Sequence, residues 1–598
     1  MALAKIPFYR NRADLFLSES QKAHRKSQYI SMFRIVSFLG FLILVVLAAN
    51  RGDLALLILT TILFIILFGV LVNLHDRVRY SMKQSEFLSR INEEEILRIK
   101  GNLESFERGG YFLDENHAYH VDLDIFGKNS LFQLLNRTTT FWGRKILASW
   151  ISEPAAPEEI PERQKAVREL TGDIDWMQEF EATGRHAEVH AETGRFLNWL
   201  ETETLLLGNR FYHLVRFIGP VLLMSQVILY LFYDFSFMWI LTGLAVNVLI
   251  LLSVGEKIKI IHESTSSSIK SLQSFEALIL MIEKKDFLSA KLQDIASFFK
   301  PEGIPASRII GRLRKILLQL DNRNNLIYQL ANTILLLDLH FAIAAEKWKK
   351  SQPDNIKKWF QKLGEMEALN SLAGYHFANP DYCFPEISSG LFEFEAENMG
   401  HPLIPCDHRV NNDLSFQGTG TIVLITGSNM SGKSTFLRTV GINVVLALMG
   451  APVCAGKLNL SCFRVFTGMR TRDNLEENIS SFYAELTRIR QLIDFIGTGF
   501  AVLFLLDEIL KGTNSTDRHL GAVSLVRQLS GEKAAGLIST HDLELARKTM
   551  KNPGIINYSF ESSILDDEIL FDYKIRPGIC ETFNASKLME KMGIRLIK

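Results

Sequence analysis

Two apolar runs near the amino terminus, Met32 to Ala49 and Leu54 to Leu74, are separated only by Asn50, Arg51, Gly52 and Asp53. At about 1.5 Å per residue, each run is long enough to cross a hydrocarbon core about 30 Å thick. So short a break permits only a tight helical hairpin, and both outer ends then lie on one side. Within the runs only Arg34, near an end, is charged. A second pair, Leu214 to Tyr233 and Phe235 to Val254, repeats the design around Asp234, with Arg210, Arg216, Lys257 and Lys259 at its outer ends. Arg10, Arg12, Lys22, Arg25 and Lys26 precede the first pair, and Arg77, Arg79 and Lys83 follow it. The excess of positive charge at the outer ends predicts a multi-pass protein of the cytoplasmic (inner) membrane with every large segment in the cytoplasm. A cleaved signal peptide ending near Leu47-Ala48-Ala49 is disfavoured, because a second apolar run follows at once and a long polar segment precedes it. In the second pair Pro220, Gln226 and Asn247 leave a buried soluble helix as the competing reading.

The rest of the chain must fold into several units. It has 598 residues, 47% hydrophobic and 22% charged, which excludes a disordered or collagen-like chain. Five cysteines, an odd number without a CxxC pair, offer neither a disulfide framework nor a zinc knuckle and suit a reducing compartment. Sixty-six basic residues balance 66 acidic ones, so any nucleic-acid surface must be local. Helices are expected from about Asp122 to Leu170 with a break at Glu153 to Pro157. An amphipathic helix follows over Ile269 to Leu292, with Leu272, Phe275, Ile279 and Ile282 on one face. One long lever helix is expected over Ala306 to Trp348, with Ile327, Leu330, Ile334, Leu337 and Phe341 on one face. The basic residues there (Arg308, Arg312, Arg314, Lys315, Arg323) read more simply as a solvated face than as a phosphate-binding surface.

After about Gly400 short apolar runs alternate with helical segments, the texture of a largely parallel sheet covered on both faces. Gly427-Ser428-Asn429-Met430-Ser431-Gly432-Lys433-Ser434-Thr435 fits GxxxxGK[ST] directly after the run Thr421 to Thr426 and opens a helix at about Lys433. Glycines let backbone amides wrap phosphates, the helix terminus adds positive potential, Lys433 reaches the β and γ phosphates, and Ser434 can ligate Mg²⁺. The run Ala501 to Leu506 ends in Asp507 and Glu508, one carboxylate to hold Mg²⁺ through water and one to polarise an attacking water. Another run ends at Ser539-Thr540-His541, which places His541 near the γ phosphate. The cofactors expected are ATP and Mg²⁺.

With these residues assembled, the chain resembles the MutS family, the mismatch-repair branch of the ABC-type ATPases. GSNMSGKST at the phosphate loop, MGAPVCA at Met449 to Ala455, FTGMRTRDNLEENISSFYAEL at Phe466 to Leu486, LLDEILKGTNSTD at Leu505 to Asp517 and STHDLEL at Ser539 to Leu545 are all similar to family motifs, as is the terminal DYKIRPGICETFNASKLMEKMGI. More weakly, Ser130 to Pro154 resembles the start of the family's core domain, and Glu365 to Ala373 the end of its levers. The resemblance implies an α/β P-loop (ABC-type) ATPase domain preceded by an all-α core and lever region, here carrying four predicted transmembrane helices in two hairpins. The boundaries read 1–31 for an N-terminal segment, 32–74 for hairpin 1, 75–121 for a linker, 122–210 for the helical core, 211–255 for hairpin 2, 256–375 for the levers and 376–598 for the ATPase. It implies a homodimer in which Ser480 acts in trans on the partner's γ phosphate. Arg409 falls where the family has an adenine-stacking aromatic, and a guanidinium can still stack.

Departures bear on the ligand. No FYE-type mismatch reader precedes Ser130, and the second hairpin occupies the region of the family's DNA clamp. DNA, as a mismatch or a junction, is therefore one expected ligand; an ATP-switched membrane clamp for something else is the alternative. A transporter is less favoured, because LSGE at Leu529 to Glu532 follows Asp507, whereas the transporter signature it resembles precedes the corresponding strand.

Overall fold

The computed structural model describes residues 2–186, 193–300, 303–351, 355–390, 392–428, 430–470, 481–511, 513–549, 552–565 and 568–580. The first apolar runs lie within two 46-residue helices, α1 (Ile6–Arg51) and α2 (Leu54–Ile99), joined by a left-handed Gly52 and an Asp53 side chain that accepts from the Leu56 amide. The guanidinium of Arg34 lies over the Phe68 ring of the other helix. The apolar windows are exposed, and the outer ends are buried at Tyr9, Ala13 and Ser20 of α1 and from Ser85 onward in α2. Residues 75–121, expected as a linker, continue α2 as far as Ile99, and its last turns dock on the core. There Glu95 accepts a two-point pair from Arg137 and a bond from Arg98, all three buried.

The helical core comprises α3 (Leu131–Leu135), α4 (Phe141–Ser152), α5 (Glu159–Thr171), α6 (Ile174–Gly184) and α7 (Thr193–Glu201). The second apolar pair forms α8 (Arg210–Tyr233) and α9 (Met238–Thr265), turning at a left-handed Asp234. Four helices of the described residues are thus long and apolar enough to cross a membrane, and each of their apolar windows is no more than 17% buried. α9 joins the main core at Val254, the last residue of its apolar run, and at Ile258 and Ile261 beyond it.

α10 (Ile269–Lys284) buries Leu272, Phe275, Ile279 and Ile282, the expected stripe, and α11 (Ala290–Phe299) follows. The long lever expected over Ala306 to Trp348 is instead three helices, α12 (Ala306–Asp321), α13 (Leu326–Leu335) and α14 (Leu337–Ser351). Asn325 caps α13, Leu336 is left-handed, and the chain bends by 81° between α13 and α14. Tyr328 and Asn332 face inward there, whereas Ile327, Leu330 and Ile334, expected on one face, share an exposed one. α15 (Asn355–Ala378) packs on α4 and α5 and leads out of the core. Its Glu367 accepts from the amides of Thr139 and Thr140 and from both hydroxyls, fixing the start of α4.

A small sheet of order β1-β5-β2-β3 joins β1 (Glu386–Ser388), β2 (Glu393–Met399), β3 (Asn412–Gln417) and β5 (Lys457–Ser461). The larger sheet has the order β10-β9-β4-β8-β7-β6, from β4 (Ile422–Gly427), β6 (Arg464–Gly468), β7 (Val502–Asp507), β8 (Ala534–Thr540), β9 (Ile555–Leu565) and β10 (Glu568–Pro577). All its pairings are parallel except that of β10 with β9. Alternation along the strands divides the packing. Val423, Ile425, Leu503, Leu505 and Leu537 meet α16 (Lys433–Leu448) on one face. Ile422, Leu424, Phe504 and Ile538 meet α17 (Ser481–Ile496) and α18 (Ser515–Ser530) on the other. α19 (Leu543–Thr549) follows β8. Burial on both faces explains why these strands read as unbroken apolar runs.

Candidate functional site

β4, β7 and β8 are adjacent and parallel, so their carboxyl ends open at one edge of the sheet, where open α/β folds place their ligand sites. The loop after β4 carries Gly427 at φ 154° and Gly432 at φ 101°. A Cβ on Gly427 would lie 2.8 Å from the Phe560 carbonyl, and one on Gly432 would lie 3.0 Å from the Tyr573 ring. Both therefore require glycine. Met430, also left-handed at φ 69°, is exposed, and Thr435 lies in the first turn of α16.

Lys433, buried at the start of α16, donates to the carbonyls of Gly427 (3.0 Å) and Ser428 (2.9 Å), with His541 Nε2 at 3.4 Å. Desolvation lowers the pKa of its ammonium group, opposed by Glu508 and Asp507. Ser434 Oγ donates to Asp507 Oδ2 at 2.6 Å, and Ser539 donates to the other carboxylate oxygen. Glu508 is left-handed at φ 52° at the end of β7. One of its oxygens lies 2.6 Å from His541 Nε2 and the other 3.0 Å from Lys511 Nζ. The His541 bond, with Lys511 behind it, holds the Glu508 carboxyl down at about 2, so the group is ionised at any physiological pH.

Five residues from three strand ends (Lys433, Ser434, Asp507, Glu508 and His541) are thus linked by direct contacts. Beside them lies a cavity of about 500 Å³ bordered by Lys433, Ser434, Thr435, Glu508, Arg409 and Tyr573. The donor set fits an anion. Among the described residues the hydroxyls of Ser428 and Ser431 are buried without a hydrogen-bond partner, and the Lys433 ammonium is hydrogen-bonded to main-chain carbonyls and not to a carboxylate. Among the described residues no cluster of three His, Cys, Asp or Glu could hold a metal alone. A magnesium site built on Ser434 and Asp507 would be completed by phosphate oxygens, the usual habit of this ion.

Arg409 borders the cavity, but its guanidinium donates to Tyr382 Oη at 2.7 Å and leans over that ring. The aromatic group at the mouth is instead Tyr573, left-handed at φ 55°, against Gly432, with its carbonyl held by Asn412. Tyr573 lies in the terminal DYKIRPG segment, whose pattern is visible in the sequence although nothing in it marks the tyrosine. Asn429 and Ser480 lie outside the described residues.

Strand, glycine loop and helix in this order, with carboxylates at the end of a neighbouring strand, define the class: a mostly parallel, doubly covered α/β domain built on the phosphate-loop motif. The family described as MutS domain V matches residues 423–593. DNA mismatch repair protein MutS of Natronomonas pharaonis is 30% identical over 246 residues, 40% of this chain and 28% of that protein. Its namesake from Finegoldia magna is 32% identical over 247 residues, 40% of this chain and 28% of that one, and the Clostridium botulinum protein is 30% identical over 254 residues, 41% and 27%. Residues 423–593 thus carry the MutS domain V pattern, and the chain spans little more than a quarter of the length of these relatives.

Proposed function

We propose that the protein is a membrane-anchored MutS-family ATPase that binds and hydrolyses ATP in a site completed by a second copy of the chain. The observation that carries this reading is the joining of Lys433, Ser434, Asp507, Glu508 and His541 at one sheet edge, beside a cavity whose buried hydroxyls lack partners. Phosphate oxygens would replace the carbonyls now bonded to Lys433 and accept from Ser428 and Ser431, and Tyr573 offers a ring for the base. Magnesium held by Ser434 and Asp507 would neutralise phosphate charge. Glu508, kept ionised by His541 and Lys511, is the base that orients water. Four apolar helices supply the anchor.

The test is ATP binding and turnover by the purified full chain in detergent with magnesium. Lys433→Ala should lose both, whereas Glu508→Gln should bind ATP and lose about 100-fold or more of turnover, the usual contribution of a general base. Wild-type turnover in Glu508→Gln would move the base elsewhere. Mixing Ser480→Ala with Lys433→Ala subunits should restore activity, because each supplies the half-site the other lacks; no gain on mixing would count against a shared site.

The relatives are named for DNA mismatch repair, which favours DNA as the ligand whose binding the nucleotide cycle controls. A second reading, a clamp for a non-DNA ligand, is favoured by α8 and α9 inserted in the helical core and by the zero net charge. Affinity for duplex, mismatched and branched DNA measured at two salt concentrations separates them. A steep loss of affinity with salt marks phosphate contacts, and no binding to any DNA at low salt selects the second reading.

A further inference from the structure

α13 differs from the other helices of the core. Leu326, Ile327, Leu330 and Ile334 on its outer side are 70%, 78%, 61% and 47% exposed. Its inner side is closed by polar bonds. Tyr328 Oη donates to Asp338 at 2.9 Å, the Asp338 amide donates to Asn332 Oδ1 at 2.8 Å, and Asn247 of α9 donates to the carbonyls of Thr333 (3.0 Å) and Ile334 (3.2 Å). Those two carbonyls belong to the last turn of α13, where the left-handed Leu336 ends the helix and no further turn supplies donors. A helix end facing water needs no such device. One in a water-poor medium must have its carbonyls met by protein.

The elbow is seated on the second apolar pair. Leu336 is fully buried, and a Cβ on Gly219 of α8 would lie 2.9 Å from Leu336 Cδ1 and 2.5 Å from Asn247 Oδ1. Asn247 precedes Lys257, the nearest basic residue on α9, by ten residues, about 15 Å of helix. On α8, Gly219 lies one turn to the apolar side of Arg216, whose carbonyl is 3.0 Å from His340 Nε2 of α14. The turn between α13 and α14 therefore sits inside the ring of basic residues that edges the apolar pair. The outer face of α13 continues the exposed apolar surface of α8 and α9.

We propose that α13 is a membrane-embedded element that does not span: an amphipathic half-helix entering the bilayer beside α8 and α9 from the side of Arg216 and Lys257, with acyl chains as the occupant of its outer face. The inference rests on the reading of α8 and α9 as membrane helices. It makes the α12–α14 connection part of the anchor, so that a lever of the core is itself gripped by lipid.

Nitroxide accessibility in liposomes tests it. In the full chain with its five native cysteines replaced by serine, single cysteines at Leu330, at Leu59 in the first hairpin and at Arg312 on α12 are spin-labelled, and collision with oxygen and with a nickel chelate is compared. The expected result is a label at Leu330 that matches Leu59, favoured by oxygen, with the ratio inverted at Arg312. Nickel access at Leu330 with a lipid-like Leu59 overturns the inference and leaves the anchor standing; a Leu330 label shielded from both reagents means that protein covers the face, and overturns it too. Nickel access at Leu59 overturns the anchor itself, and the inference with it. Should the serine background fail to fold, a photo-crosslinking residue at Leu330 in the native chain should give phospholipid adducts, as one at Leu59 does. Adducts at Leu59 alone overturn the proposal.

Discussion

Glu95 carries the junction between the first helical pair and the core. Its two oxygens neutralise Arg137 and Arg98, and the three groups are nearly inaccessible to water, so neither guanidinium has solvent to fall back on. Removing one partner of such a buried set costs about 3–5 kcal/mol, because the other charges remain buried and unpaired. Glu95→Ala is expected to destabilise the protein by that amount, whereas Arg90→Ala, whose side chain is largely exposed, should change it by less than about 1 kcal/mol. Chemical denaturation in detergent micelles reads both. Glu508 gives a second prediction. Its pKa lies below the ordinary 4.5, at about 2, so the ionised form stabilises the fold. That contribution is complete above about pH 4.5 and is lost as the pH falls toward 2. In Glu508→Gln the acid limb of a stability–pH curve should be shallower over this window. An unchanged limb would show that the pair with His541 is not coupled to folding.

Helices approach one another at small residues, and α4 and α15 illustrate how far such contacts can be read in advance. A Cβ on Gly364 would lie 2.7 Å from the Trp142 carbonyl, and one on Gly143 would lie 2.4 Å from Glu367 Oε2. Gly364→Val must push the helices apart, and overpacking of this kind costs about 1–3 kcal/mol; thermal unfolding of the full chain should show it, with Lys358→Ala as the neutral exposed comparison. Gly143 lies in the segment that resembles the start of the family's core and Gly364 beside the one that resembles the end of its levers, yet that contact depends on two segments more than 200 residues apart and no local pattern announces it. The same distinction holds elsewhere. β4, β7 and β8 were legible because strands buried on both faces are written as continuous apolar runs, and α10 because its stripe repeats at helical spacing. The phosphate loop, Asp507, Glu508 and His541 were legible because each follows such a strand. The lever over Ala306 to Trp348 was not, because its apolar residues keep helical spacing through a break made by Leu336 and by side-chain bonds from Asn247 and Asn332. Tyr573 was not, because its place over Gly432 comes from the pairing of β10 with β9.

At the scale of the whole molecule, the two apolar pairs emerge from the core at different heights. α2 first buries a residue at Ser85, eleven residues beyond Leu74, so about 16 Å of helix separates the first apolar run from the core. α9 buries Val254 at the very end of its apolar run. If both pairs share one bilayer, the core rests against the membrane at α9 and is held off it by a stalk at α1 and α2. The four apolar windows present far more contiguous apolar surface than a monomer in water tolerates. The protein should accordingly remain in the pellet after washes at high salt and at alkaline pH and should need detergent for release. A charge in the middle of a spanning helix costs about 2.5–3.5 kcal/mol on insertion scales. Ile62→Arg, on the exposed face of α2, should therefore reduce membrane insertion, measured with a glycosylation reporter, whereas Arg79→Ala on the stalk should leave it unchanged. Release of the wild-type chain by alkali, or insertion of Ile62→Arg at the wild-type level, would mean that the apolar faces are covered by protein rather than by lipid.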